Sequence, residues 1–244
     1  MISPVYSFYQ VIDGSLRVER LRTHVEYALE SFNKDSRLVR YGSRLRKTFY
    51  EILKYVIILH DFGKVAFNQA WSQGRSYKGL SFEGHEVLSA WFADKYLSLA
   101  ANDNIIDPKD VCLATLVILL HHHPMDVRRR NEALSKKKDI IVNEETLNTF
   151  YEELRGIINP TYQISLARPL CADDIAEEVL GFHGLYRRCW INVWMNGSPT
   201  DRKTFLLLIQ GLIVADYKSA SRTRGEGISE FARAVQIFLN YWST

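Results

Sequence analysis

Hydrophobic residues recur along much of the chain with the three- and four-residue spacing of a helix face. One series covers Val18–Phe32, a second covers Phe49–His60, and a third covers Val87–Tyr96. Because one face of an α-helix repeats every 3.6 residues, each series predicts an amphipathic helix. The third helix is expected to begin after an N-cap at Ser81 or Glu83.

The second half of the chain continues this helical pattern. A helix is expected to start at Pro108, which suits a first turn, and to stop before Pro124. Other helices are expected over 200–221, 229–242, 143–157 and 172–195. Alternation typical of strands is scarce, and Val5–Ile12 is the best candidate for a short strand or hairpin arm. The pattern predicts an all-α helical bundle, a single domain over residues 1–244, with an N-terminal strand or hairpin.

Composition narrows the class of protein. The chain has 244 residues, of which 47% are hydrophobic and 24% are charged, which excludes wholesale disorder. Its apolar runs fall far below the roughly 18 residues needed to span a bilayer, so no membrane association is expected. The segment Met1–Gln10 lacks the basic start and apolar stretch of a secretory signal. Three widely spaced cysteines without a C-x-x-C motif fit a reducing cytoplasm.

The net charge of +3 is small, but basic residues cluster in two places. Arg37–Lys47 holds five basic residues. A second run holds six, namely Arg128, Arg129, Arg130, Lys136, Lys137 and Lys138. A charge run alone is most often a solvated loop. The second run differs because it directly follows a cluster of histidines.

Several ionisable residues fall on faces that helical projection assigns to the core. They are His24, His60, Asp61, His121, His122 and Asp216. A buried aspartate needs a compensating partner, and for any single residue an arginine or a helix N-terminus is the simpler explanation. For the whole set, a shared cation explains every residue at once.

The donor set indicates which cation that would be. Several imidazoles and two carboxylates exceed the needs of one tetrahedral zinc and suit two adjacent divalent ions. The candidates are manganese, magnesium, nickel, cobalt, iron and zinc, and mixed nitrogen and oxygen donors favour the transition metals over magnesium. Paired metals about 3.5–4 Å apart commonly hydrolyse phosphate esters with an activated water.

The ordered set His24, His60-Asp61, His85, His121-His122 and Asp216 resembles the HD phosphohydrolase superfamily, which is named after its His-Asp doublet. The most specific piece is the segment 59–64, Leu-His-Asp-Phe-Gly-Lys. With the separate His-His pair and the late Ala-Asp, the pattern is most similar to the HD nuclease of type I CRISPR–Cas interference. The resemblance implies an HD-domain helical bundle around a metal site and two-metal hydrolysis of single-stranded DNA.

The resemblance also implies a role for each residue. His24, His60, Asp61 and Asp216 would hold one metal, and His85, His121 and His122 would hold the second, with Asp61 bridging. Asp61 and Lys64 are the implied catalytic residues. Lys64 would lie near the scissile phosphate or brace the His-Asp doublet, unless it is an ordinary surface lysine. The run His121-His122-His123-Pro124 departs from the family, so His122 and His123 are an alternative ligand pair.

The sequence contains no G-x-x-x-x-G-K-[ST] motif of a P-loop motor. The resemblance therefore implies a stand-alone nuclease subunit that works with a separate CRISPR-associated helicase and an RNA-guided surveillance complex. The basic run at 128–138 would then track a DNA strand. One alternative is an HD-type hydrolase of dNTPs or cyclic nucleotides. Another is a degenerate HD fold that serves as a binding scaffold, which missing ligand residues would mark.

Overall fold

The computed structural model describes residues 4–12, 14–72, 79–122, 132, 134–225 and 229–244. Within these ranges the chain is predominantly helical and begins with a two-stranded hairpin, as predicted. Strand β1 (Tyr6–Ile12) pairs antiparallel with β2 (Ser15–Arg20). An isolated hairpin is marginally stable in water, so it needs packing against the rest of the domain. The Asn68 side chain supplies one anchor, accepting from the Tyr6 amide at 3.0 Å and donating to its carbonyl at 2.9 Å.

The helices follow the hairpin. In chain order they are α1 (Leu21–Leu29), α2 (Arg37–Leu45), α3 (Phe49–Leu59), α4 (Gly63–Ser72), α5 (His85–Asn102), α6 (Pro108–Leu120), α7 (Glu144–Glu153), α8 (Ala172–Leu180), α9 (Leu185–Trp190), α10 (Pro199–Arg224) and α11 (Glu230–Trp242). A π-helical turn over Ile191–Met195 follows α9. The two-residue strands β3 (Ile141–Val142) and β4 (Leu170–Cys171) pair antiparallel. None of the described helices combines the length and apolar character needed to cross a membrane.

The core lies where α3, α5, α6 and α10 pack together, and α5 and α6 are buried along most of their length. An aromatic cluster fills part of it. Phe62 stacks on Phe92 with ring centroids 3.9 Å apart, and Phe150 meets both rings edge to face. Such offset and edge-on arrangements are the favoured geometries of aromatic pairs. Because Phe62 directly follows Asp61, this cluster also fixes the turn between α3 and α4.

Two predicted helix starts are wrong. Val18 lies in β2, where it pairs with Tyr9, and α1 begins only at Leu21. Helix α5 is preceded neither by Ser81 nor by Glu83 as a cap but by Gly84, whose φ is 94°. A left-handed backbone suits glycine because it lacks a Cβ. The left-handed turn at Gly84, not a capping side chain, therefore marks the start of this helix.

Two further segments differ from their predictions. The basic run Arg37–Lys47 is not a solvated loop, since α2 forms over most of it and buries Leu38 and Val39. The segment 172–195 is not one helix. The chain turns between Gly181 and Gly184, where the Gly184 amide donates to the Gly181 carbonyl at 2.8 Å.

Candidate metal centre

The predicted ligand residues converge on one buried region although they come from distant parts of the chain. Helix α1 contributes His24, and α10 contributes Asp216. The remaining ligand residues lie at helix ends: His60 and Asp61 follow α3, His85 opens α5, and His121 and His122 follow α6. Their ligand atoms form two groups, each within 4.8 Å, namely His24, His60 and Asp216 in the first and His85, His121 and His122 in the second.

Asp61 lies between the two groups. Its Oδ2 is 3.5 Å from Nε2 of both His24 and His60, whereas its Oδ1 is 3.1 Å from Nε2 of His85. Asp216 joins only the first group, with Oδ1 at 3.1 Å from His24 Nε2 and 3.8 Å from His60 Nε2. The two oxygens of Asp61 therefore face different groups, which is the arrangement of a bridging carboxylate.

The residues after the doublet hold it in position. Phe62 is anchored in the aromatic cluster of the core. A Cβ on Gly63 would lie 2.2 Å from the His85 carbonyl oxygen, so only glycine lets the first turns of α4 and α5 approach this closely. The Gly63 amide also donates to Ser89 Oγ at 2.9 Å. The segment His-Asp-Phe-Gly thus places two candidate metal ligands directly before a phenylalanine that is anchored in the core. The glycine that follows allows α4 and α5 to approach closely.

Three of the histidines are oriented by the main chain in the same way. In each, Nδ1 lies 2.5–2.8 Å from the carbonyl oxygen three residues earlier, which belongs to Ile57 for His60, Phe82 for His85 and Ile118 for His121. A carbonyl oxygen can only accept, so Nδ1 must carry the proton. In the neutral ring, the lone pair is then on Nε2, which points into the cluster.

Several buried polar atoms of this region lack a hydrogen bond, although Asp61 Oδ2 is ion-paired with Lys64 and His24 Nδ1 with Glu19. In the described part of the chain, seven of the twelve buried side-chain atoms without a hydrogen-bond partner belong to His24, His60, Asp61, His85 and His121. The approaches of 3.1–3.8 Å between their imidazoles and carboxylates do not have hydrogen-bond geometry. Lone pairs on nitrogen that face carboxylate oxygens are stable when a cation lies between them. The residues present therefore fit a divalent metal.

The carboxylates remain ionised despite their burial. Burial by itself would raise the pKa of Asp61, but His60 and Lys64 hold that pKa well below its usual range. The pKa of Asp216 is likewise well below its usual range, because His24 and His60 more than offset the effect of burial. Both aspartates are thus available as anionic ligands.

The pKa values of His121 and His24 are shifted in opposite directions because their surroundings differ. Burial lowers the pKa of His121 to about 3, and the neighbouring His60 and His85 add to this shift. Burial also lowers the pKa of His24, but Asp216 and Glu19 outweigh it and raise the pKa to about 9. In the metal-free protein, His121 is therefore neutral at pH 7, and His24 carries a proton that a metal would displace.

Lys64 is not a surface lysine. It is buried, and its Nζ lies 2.7 Å from Asp61 Oδ2 and 5.4 Å from the centroid of the Phe82 ring. Its ammonium group is therefore paired with Asp61 of the His-Asp doublet, and the role that the resemblance implied for it stays a prediction. This geometry also places a fixed positive charge beside Asp61.

The predicted nucleic-acid-binding residues are only partly described. Arg128, Arg129 and Arg130 lie outside the described residues, as does His123, the alternative ligand. Lys136 and Lys138 are exposed. Lys137 Nζ lies 3.4 Å from the Ser81 carbonyl oxygen and 4.6 Å from the Phe67 ring centroid. This segment therefore lies beside the loop that leads into His85.

Glu19 and Ser219 contact His24 and were not predicted. Glu19 Oε2 lies 3.2 Å from His24 Nδ1, and Ser219 Oγ donates to the His24 carbonyl at 2.8 Å. Ser219 is on the buried side of α10, three residues after Asp216, and that spacing is a usable sequence signal. No periodic signal marks Glu19, because the sequence pattern assigned Val18 to a helix that in fact starts after Glu19.

The resemblance to the HD superfamily rests on the order of the motifs in the sequence and stays a prediction. Helical faces and helix ends supply every ligand residue of both groups. Comparison with protein-family models and with curated proteins finds no match to the chain.

Proposed function

We propose that the chain is an HD-superfamily metal-dependent phosphodiesterase, a nuclease that hydrolyses single-stranded DNA in type I CRISPR interference. The position of Asp61 carries this proposal, since its two oxygens face two separate groups of ligand atoms. A site that held one structural ion would not need a carboxylate shared between two groups.

The geometry supports the ligand sets that the resemblance implied. His24, His60 and Asp216 would hold one ion with Asp61 Oδ2, and His85, His121 and His122 would hold the other with Asp61 Oδ1. Two divalent ions there would supply an activated water and would neutralise charge on the phosphoryl oxygens during hydrolysis.

The two sides of the cluster differ in their exposure to solvent, which limits where a substrate could enter. His24 and His60 are completely buried, whereas the Asp216 side chain is 21% exposed and His122 is half-buried. A phosphodiester would therefore approach from the side of Asp216 and His122. Lys64, which is paired with Asp61, would add a fixed positive charge near the bound phosphate.

Basic residues near the cluster favour a polymer over a free nucleotide as substrate. The exposed Lys136 and Lys138 lie in the segment that contacts the loop before His85. Lysines at the edge of a site can bind the phosphates that flank the cleaved bond, and a single nucleotide has no such phosphates. A separate helicase and an RNA-guided surveillance complex, working in the cytoplasm, would provide the single strand.

A cleavage assay tests the proposal. Labelled single-stranded DNA, duplex DNA, RNA and free nucleotides would be incubated with Mn²⁺, Mg²⁺, Ni²⁺ or EDTA, and Asp61→Ala would be assayed in parallel. We expect metal-dependent cutting of single-stranded DNA that EDTA and Asp61→Ala both abolish. Asp173→Ala, which removes an exposed carboxylate on α8, is the control and should cut like the parent.

The substrate panel separates the alternatives. Hydrolysis of dNTPs or cyclic nucleotides without cutting of polymers would contradict the nuclease assignment and would support a nucleotide phosphohydrolase. A protein that binds no metal and hydrolyses none of these substrates would leave only a binding role for the fold.

A further inference from the structure

His24 is oriented differently from three other histidines of the cluster. His60, His85 and His121 lie at helix ends, where a carbonyl oxygen three residues earlier accepts from Nδ1. His24 lies inside α1, where the helix hydrogen bonds already use the nearby carbonyl oxygens. Its Nδ1 instead faces Glu19 Oε2 at 3.2 Å, on strand β2. The nearest acceptor to His24 Nδ1 is thus a carboxylate, whereas at these three rings it is a main-chain carbonyl oxygen.

Glu19 is held firmly in this position. It is the single buried residue of β2, and it points inward while its strand neighbours are exposed. Ser7 Oγ donates to Glu19 Oε2 at 2.9 Å, and Thr223 Oγ1 donates to Oε1 at 3.3 Å. Strand β1 and the end of α10 therefore fix the carboxylate from two sides.

The partners of Glu19 indicate what it is for. A buried carboxylate is costly unless it is paired, and a structural role would normally provide an arginine or a lysine. In the described part of the chain, the ion pair of Glu19 within 4 Å is with His24, and the more distant Arg224 adds a weaker favourable charge. The burial of Glu19 is therefore compensated mainly through a residue of the metal cluster.

We propose that Glu19 is a positioning residue that accepts a hydrogen bond from His24 Nδ1–H and so presents His24 Nε2 to the metal. This inference rests on the proposed metal-dependent function. Carboxylates that hold a ligand histidine in this way fix its tautomer and make it a stronger ligand. The N-terminal hairpin would then be part of the support of the metal centre.

Calorimetric titration with Mn²⁺ tests this role in the full chain. Glu19→Gln keeps the shape and an acceptor but loses the charge, and Glu19→Leu removes the acceptor. We expect the Mn²⁺ dissociation constant to rise about 10-fold in the first and about 100-fold in the second, the range found for the outer partners of metal ligands. Asp110→Asn is the matched control, because Asp110 is equally buried but contacts Arg46 and Thr48.

The outcomes distinguish a positioning role from a structural one. If Glu19 were purely structural, both substitutions would lower the unfolding free energy but leave the Mn²⁺ affinity of the folded protein at the parent value. That result would overturn the inference. Glu19→Gln decides the matter if Glu19→Leu does not fold. A parent that binds Mn²⁺ but cuts no polynucleotide would contradict the proposed nuclease function alone.

Discussion

Asp61 and Asp110 are both buried aspartates at helix ends, with 1% and 0% of their surface exposed, yet their surroundings are opposite in kind. Asp110 faces proton donors, since Arg46 pairs with Oδ1 and Thr48 donates to Oδ2 at 2.6 Å. Asp61 faces imidazole nitrogens of His24, His60 and His85, and among the described residues Lys64 lies beside it as an obligatory donor.

The difference also appears in the ionisation of the two groups. Burial raises the pKa of Asp110, and Thr48 and Arg46 offset only part of that shift. Burial acts on Asp61 as well, but the charges around it hold its pKa well below the usual range. Burial of an aspartate therefore does not by itself indicate a metal site. The informative feature is a buried carboxylate that faces the ring nitrogens of several histidines.

The largest expected difference between the two aspartates is in metal affinity. Asp61→Asn should weaken Mn²⁺ binding by more than about 100-fold, because Asp61 contacts both ligand groups and a direct ligand contributes more than an outer partner. Asp110→Asn should bind Mn²⁺ like the parent. Isothermal titration of both variants measures this, and equal losses would mean that burial, not ligation, accounts for the effect.

Asp110 should contribute to the stability of the fold through its ion pair with Arg46. Asp110→Ala removes the partner of a largely buried guanidinium, and we expect a loss of about 3 kcal/mol in unfolding free energy. The loss should not be larger, since Arg46 keeps Asp201 at 2.7 Å. Urea denaturation measures it, with the exposed Asp173→Ala as control. A change within about 0.5 kcal/mol, typical of surface positions, would contradict the prediction.

Much of the candidate site could be predicted because helix periodicity fixes where side chains point. His60 continues the apolar stripe of α3, and Asp216 lies on the buried stripe of α10, so their inward direction follows from spacing alone. His85 had no such support, because it precedes the apolar series of α5. Its prediction came from the order of the family motifs.

The rest depended on contacts between distant segments. Glu19 reaches His24 because the hairpin folds back on α1, and the exposed pattern of β2 gives no sign of this. Arg46 meets Asp110 across two helices, so Asp110 reads in sequence as an ordinary acidic residue in a first turn. The local sequence pattern predicts the direction in which a side chain points. The partner that it meets depends on tertiary contacts, which the local pattern does not contain.

The pH dependence of stability in the metal-free protein should also distinguish the surroundings of Asp61 from those of Asp110. The folded-state pKa of His24 is raised from 6.5 to about 9, because Asp216 and Glu19 outweigh the opposing effect of burial. Its stabilisation is therefore complete below pH 6.5 and is lost as the pH rises through 9. In EDTA we expect the unfolding free energy to fall by up to about 3 kcal/mol across this interval.

Denaturation at several pH values measures this effect. His24→Gln should flatten the dependence, whereas Asp110→Asn should retain it because Asp110 does not contact His24. A parent whose stability is constant over this interval would contradict the raised pKa of His24.

The smallest expected effect concerns Lys64. It forms an ion pair with Asp61, as Arg46 does with Asp110. Its Nζ at 2.7 Å compensates the Asp61 charge in the metal-free protein and repels an incoming cation. Both effects oppose metal binding, so Lys64→Met should tighten Mn²⁺ binding about fivefold, or about 1 kcal/mol. Lys64→Arg keeps the charge and should bind like the parent, as should Lys54→Met on the exposed side of α3. Weaker Mn²⁺ binding by Lys64→Met would instead mean that the ammonium group orients Asp61 for its ligands, and the resemblance to Asp110 and Arg46 would then fail.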